Sequence, residues 1–221
     1  MPEETATPRG AREFLPAMGR HALLPLYDPL TRLLGVGAAH RRLVDEADIR
    51  AGQHVLEIGC GTGNLLLTVA RTRPVASAVG LDPDPAALAV ARRKADRRGL
   101  AARWKRGYAD ELPFPDSSID RVLSAFMFHH LPTDQKQAAL REVRRVLAPG
   151  GSLHLVDLVG HSPQTAGPIA RLLHRVHGHG EQDHVGHGTG SSRHGRAHGR
   201  LVDNAPDRVR ELMSEAGLVD A

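Results

Sequence analysis

Through the middle of the chain, short apolar runs of strand length alternate with segments whose apolar residues recur at helical spacing. The runs are His54 to Ile58, Ser77 to Leu81, Ala102 to Lys105, Ile119 to Phe126 and Ser152 to Leu158. One intervening helix opens with Asp84 as N-cap and Pro85 at its first position, buries Leu88, Ala91 and Ala95, and stops at Gly99. Another starts at Thr133, lines up Leu140, Val143, Val146 and Leu147 on one face, and ends at Pro149-Gly150-Gly151. Strands joined by crossover helices must run parallel, with helices on both faces of the sheet. The pattern therefore predicts an α/β fold with a doubly wound, mostly parallel sheet that takes its ligands at the carboxyl ends of the strands.

Outside this alternation the pattern weakens. Residues 1–20 are rich in Pro, Gly, Arg and Glu and read as a flexible tail. From Asp28 to Ile49, Leu30, Leu33, Leu34, Leu43, Val44 and Ala47 recur at helical spacing around Gly35-Val36-Gly37, which predicts two helices at the domain edge. The core is thus expected over 21–159. Residues 160–203 read as a flexible His/Gly-rich insertion or lid, and 204–221 as a last helix, Pro206 to Ala216, stopped by Gly217. After that helix only the start of a further strand fits, and a sheet edge open to a homodimer contact is expected.

Composition narrows the picture. The 221-residue chain suits one core domain, and neither a membrane span nor a signal-type segment is legible, so a cytoplasmic protein is expected. Cys60 is the only cysteine, so no disulfide staples the chain. A net charge of +4 is modest. The basic stretch Arg92, Arg93, Lys94, Arg97, Arg98, Arg103, Lys105, Arg106 lacks the interleaved aromatics that stack bases, which makes it a solvated face and nucleic acid an unfavoured partner.

The chemistry concentrates in HVLEIGCGTGNLLLTVA, where the first strand breaks into Gly59, Gly61 and Gly63 before a helix. Such a turn lets a ligand approach the backbone and meet free helix amides. A dinucleotide fingerprint needs glycine at its sixth position, where Asn64 stands, and a phosphate loop needs a Gly-Lys-Ser/Thr that is missing. Glu57 just before the turn would repel a pyrophosphate and attract an ammonium or sulfonium. Asp82, closing the second strand, suits a ribose diol. The bland alternative makes Glu57 a loop cap and Asp82 a helix cap. A cationic, ribose-bearing ligand satisfies both functional readings.

These residues carry a resemblance. VLEIGCGTGN resembles the first motif of class I S-adenosylmethionine-dependent methyltransferases, and GLDPDPAALAVARRKA the second. GYADELPFPDSSIDRVLSAFMFHHL resembles the third and fourth together, and REVRRVLAPGGSLHLVDL is similar to the fifth-strand region. The resemblance runs from Leu24 to Leu158 and, more faintly, from Asn204 to Leu218, and points to the small-molecule set that includes quinone-biosynthesis and natural-product enzymes. It implies a Rossmann-like core that binds S-adenosyl-L-methionine and a sheet that normally ends in an antiparallel sixth and seventh strand, which this chain is expected to lack beyond a start of the sixth at Gly217-Leu218-Val219-Asp220. Gly59, Gly61 and Gly63 with Glu57 would hold the methionine end, Asp82 and Pro83 the ribose, Ala109 and Asp110 the adenine edge, with Met127 beside them and Tyr27 closing over the cofactor. Tyr108 departs from the pattern, standing where many relatives have an aspartate for the adenine amino group, so Asp110 or a backbone carbonyl is expected to substitute.

The sulfonium is already activated, so the protein needs little beyond positioning and a base. His129 and His130 after the fourth strand and Asp157 at the end of the fifth are the catalytic candidates, with His129 oriented by Asp157 as the preferred pair. The structural alternative has the two histidines shaping the pocket and capping the next helix. The expected reaction moves a methyl group to an O, N or C nucleophile of a small molecule, and no metal is expected. A degenerate cofactor-binding fold and a His-rich metal-binding protein are the competing readings. Phe126 and Phe128 are the positions at which a flat-ring platform could sit.

Overall fold

The computed structural model describes residues 35–158 and 204–218. Tyr27, the first of the two N-terminal helices and the His/Gly-rich segment lie outside them. In chain order the elements are α1 (Val36–Glu46), β1 (His54–Ile58), α2 (Asn64–Thr72), β2 (Ser77–Asp82), α3 (Pro85–Arg98), β3 (Arg103–Arg106), β4 (Ile119–Ala125), a 3-10 turn (Phe128–His130), α4 (Thr133–Val146), β5 (Leu147–Val156) and α5 (Pro206–Glu215). The five strands form one parallel sheet in the order β3-β2-β1-β4-β5. Strand order reverses between β1 and β4, so their carboxyl ends open the crevice at which such sheets bind ligands.

Local chemistry accounts for most boundaries. Asp84 caps α3 by accepting from the Ala86 amide at 2.8 Å, Pro85 follows it, and Gly99 ends the helix at φ 60. Gly35 sits in the left-handed region at φ 75 and starts α1, so Gly37 lies inside that helix and the expected break is narrower than the glycine pair suggests. The strongest departure is β5. Helix α4 ends at Val146, and Ala148-Pro149-Gly150-Gly151 belong to a strand that pairs Ile119 with Leu147, then shifts register and resumes with Arg121 opposite Ser152. The Ser118 amide bonds the Val146 carbonyl at 2.8 Å, and this long-range pairing converts a helix-stop signal into a bulged strand start.

Two apolar layers sandwich the sheet. On one face Leu43 and Val44 of α1, Leu65, Leu66 and Val69 of α2 and Leu88 and Ala91 of α3 pack on Val55, Ala78 and Leu123. On the other, Val143 and Val146 of α4 cover Leu56, Ile58, Leu81 and Val122. A third cluster joins Leu140 of α4 to Val209 and Leu212 of α5 around Phe128. Each fully buried Leu or Val contributes about 1.5–3 kcal/mol, which sets the strand ends rigidly enough to carry a site.

Gly59 tests how tightly that crevice is built. Its φ is 68, and a Cβ there would stand 2.2 Å from the Met127 Cγ. Gly59→Ala combines left-handed strain with that clash, so a loss of about 2–5 kcal/mol is expected. In a thermal melt the transition should fall by about 10 °C. An unchanged melting temperature would refute the close packing of Met127 on the turn.

Candidate functional site

The turn after β1 is tied into the fold from both sides. Gly59 and Cys60 donate their amides to the Leu81 carbonyl, at 2.8 and 3.1 Å, which binds the turn to the end of β2. Gly63 is left-handed at φ 79 and begins α2, and a Cβ on it would strike the Trp104 ring at 2.4 Å. Gly61, by contrast, has no atom within 4 Å of where its Cβ would stand. Open space therefore lies over the middle glycine alone.

Two buried carboxylates flank that space. Glu57 is 3 % exposed and accepts from the Leu66 amide in the first turn of α2 at 2.9 Å. Asp82 accepts from the Gly61 amide at 2.8 Å and, with its other oxygen, from the Asp84 amide at 2.9 Å. Glu57 thus caps a helix where the bland reading made it a loop cap, and Asp82 holds the glycine turn and the Asp84 amide while Asp84 itself caps α3; each oxygen keeps lone-pair capacity for a ligand. Burial pushes the Glu57 carboxyl well above the usual range, with the Leu66 amide pulling it back and the Asp82 charge raising it further. Burial likewise raises Asp82 to about 6, against the two amide bonds that favour its ionised form. A cation bound here would bring both carboxylates back toward their ionised state. Asn64 also has a role, since its Oδ1 accepts from the buried Lys94 ammonium at 2.6 Å and so places a positive charge that favours ionised Glu57.

On the far side of the crevice, β4 and β5 bring His129 and Asp157 together. The Asp157 carboxylate takes the His129 Nδ1 at 2.5 Å, the His129 amide at 2.8 Å and the Leu158 amide at 2.7 Å. The side chains are 12 % and 3 % exposed. Backbone and side-chain bonds to the same carboxylate fix the imidazole orientation and leave Nε2 as the free ring nitrogen. The His130 ring lies 3.9 Å from that of His129, tilted by 41°. Phe128 is 1 % exposed and belongs to the α4–α5 core, so it is not a platform; its neighbour Phe126 is half-buried at the strand end.

Ala109 and Asp110 lie half-buried in the turn after β3, where Tyr108 forms an isolated bridge with Glu111. The loop that follows is held by Arg145 of α4, a residue the sequence reading did not single out. Its guanidinium donates to the Leu112 and Phe114 carbonyls and to the Glu142 and Asp116 carboxylates, while Glu142 accepts the Leu112 amide. Pro83 accepts from Arg106 through its carbonyl, joining β2 to β3 beneath the same turn. No local signal marks the hold of Arg145 on the loop, because Leu112, Phe114 and Asp116 lie about thirty residues away in the chain and Glu142 alone is a near neighbour.

An open glycine turn, two buried carboxylates and an imidazole oriented across the crevice fit a cationic ligand carrying a diol. No helix among the described residues is long and apolar enough to cross a membrane. Residues 55–151 match the family described as a methyltransferase domain. A demethylmenaquinone methyltransferase of Thermus thermophilus is 42 % identical over 158 residues, which cover 70 % of this chain and 69 % of that protein. A 2-phytyl-1,4-naphtoquinone methyltransferase of Synechococcus elongatus is 30 % identical over 161 residues, covering 70 % of this chain and 66 % of that one. The chain thus spans about two thirds of the length of these curated relatives. The solved structure of a SAM dependent methyltransferase from Aquifex aeolicus shares the fold, with a TM-score of 0.57 at 20 % identity over 72 % of this chain and 88 % of that one. On the family match over 55–151 and the 42 % identity to a relative of which it covers 69 %, the chain belongs to the class I S-adenosylmethionine-dependent methyltransferases.

Proposed function

We propose that the protein methylates the hydroquinone form of an aromatic quinone, with S-adenosyl-L-methionine as donor. The observation that carries the reading is the His129–Asp157 pair, held just past the ends of the adjacent strands β4 and β5. The names of the two quinone-methylating relatives supply the acceptor class.

When bound, the cofactor supplies an electrophilic methyl group on a sulfonium. Gly61 and the ionised Glu57 and Asp82 would hold its methionine and ribose parts, and Ala109 and Asp110 its adenine edge. His129 Nε2 takes the proton from an acceptor hydroxyl, and the Asp157 carboxylate stabilises the resulting imidazolium while holding Nδ1–H. Loss of that proton makes the hydroxyl-bearing ring electron-rich, so that the ring carbon adjacent to the oxygen-bearing one would form the new bond to the methyl group as the methyl–sulfur bond breaks and the neutral thioether leaves. The hydrogen on that carbon then leaves as a proton, which restores the aromatic ring. Only the reduced ring has this nucleophilic character, so the hydroquinone and not the quinone is the substrate.

The direct test incubates the protein with methyl-labelled S-adenosylmethionine and a demethylated isoprenyl naphthoquinone kept reduced by dithionite. Label is expected in the extracted quinone fraction. Calorimetry with S-adenosylhomocysteine separates the two ways of failing: binding without transfer would overturn the acceptor, and absence of binding would overturn the methyltransferase reading as a whole.

A further inference from the structure

Among the described aromatic residues, Trp104 and Phe128 are buried in apolar clusters and Phe114 packs on a third, whereas Phe126 and Tyr108 belong to none, and Tyr108 sits in the bridged turn with Glu111. The Phe126 backbone is also strained. Phe126 has φ 56, in the left-handed region that a bulky aromatic seldom adopts, and its amide is locked there by a 2.9 Å bond to the Val156 carbonyl. A glycine would meet that conformation without strain, so the ring is retained at a cost to the fold.

Its surroundings indicate what the ring serves. The half-buried ring stands 6.1 Å from the His40 ring of α1, tilted by 41°. Met127, the next residue, lies over Gly59, and His129, three residues on, is bonded to Asp157. Phe126 is thus bracketed by the cofactor turn and the proposed base. Burial, and secondarily the Lys94 charge, lower His40 to about 4, so near neutral pH its ring is an uncharged aromatic surface. Paired rings of this kind favour offset or tilted stacking of a third flat ring, beyond what area burial alone provides.

We infer that the Phe126 ring, backed by His40, is the wall against which the acceptor's flat ring stacks, and that it selects aromatic over saturated acceptors. The inference rests on the reading of the acceptor as an aromatic hydroquinone and names the residue that recognises it.

The test uses 2-naphthol and decahydro-2-naphthol, two alcohols of similar size of which only the first is flat. Each is titrated into the full chain by calorimetry, with and without saturating S-adenosylhomocysteine. The native chain is expected to bind 2-naphthol about two- to tenfold more tightly than its saturated counterpart. Phe126→Gly and Phe126→Leu should lose that ratio, Phe126→Tyr should keep it, and all three should bind S-adenosylhomocysteine within about twofold of the native chain. Phe126→Gly should melt no lower than the native chain, since it relieves the strained backbone, which separates loss of the ring from loss of the fold. An unchanged ratio in the glycine and leucine variants, or no preference in the native chain, would overturn the inference. A Phe126-dependent ratio without any S-adenosylhomocysteine binding would support the aromatic wall and refute the methyltransferase reading.

Discussion

Replacing His129 by alanine is expected to lower kcat by about 10²–10⁴-fold while leaving the Kd for S-adenosylmethionine within about twofold. The magnitude is that of a positioned general base, and the split between the two parameters follows from where the residue stands. His129 is held by Asp157 at the ends of β4 and β5, whereas the donors proposed for the cofactor come from the β1 turn and the end of β2. Asp157→Asn should also lower kcat, because an amide cannot match the carboxylate in stabilising an imidazolium. Its single oxygen in the Oδ1 position still accepts from the Leu158 amide and the His129 Nδ1, while the His129 amide, which bonds the other carboxylate oxygen, loses its acceptor. Single-turnover kinetics on both variants measures the step directly. A His129→Ala protein with undiminished kcat would remove the imidazole from the reaction and leave it as pocket wall.

Removal of the Asp82 carboxylate should have the largest effect on cofactor affinity. Asp82→Ala is expected to weaken S-adenosylhomocysteine binding by at least about 100-fold, since charge-assisted hydrogen bonds contribute about 1.5–3 kcal/mol each and a diol would take two. Asp82→Asn should lie between, because one oxygen still accepts from Gly61 or Asp84. The carboxyl also carries a pH signature. Its value in the fold is raised from 3.8 to about 6, chiefly by burial. For an acid raised on folding, the contribution to stability is fully present below pH 3.8 and is lost as pH rises through about 6, a change of about 3 kcal/mol. Cofactor binding favours the ionised form, so affinity should climb between about pH 5 and 7 and then level off. Asp82→Asn should remove the Asp82 part of both profiles and leave the part due to Glu57, which burial also raises. Denaturant titrations and calorimetry across that range check each sign, and a pH-independent affinity in the native chain would refute the role of Asp82 as the ionising group.

Much of this site was legible in the chain itself, for reasons that differ from residue to residue. Asp84, Pro85 and Gly99 declare a helix because capping and φ restriction act within a few residues. The glycine turn is likewise local, as left-handed backbone at Gly59, Gly61 and Gly63 needs residues without a Cβ. Glu57 was read as a ligand for a cation and also proves to cap α2, a second task that only the fold reveals. The start of β5 was read as helix end, since a Pro-Gly-Gly signal is stronger locally than a strand that exists only by pairing with β4.

Sequence periodicity, caps and glycines determined the succession of strands and helices, the position of the turn and the acidic residues around it, because each depends on backbone preferences within one element. The tertiary structure alone decided which side chains meet. Met127 closes on Gly59, Trp104 on Gly63, His129 on Asp157, Arg145 on the loop after β3, and Phe126 on His40. Those contacts join residues far apart in the chain, and they form only when close packing of a parallel sheet brings its carboxyl ends to one rim. A pattern with a period of two or 3.6 residues says which face a side chain shares with its near neighbours, not which distant element it will touch.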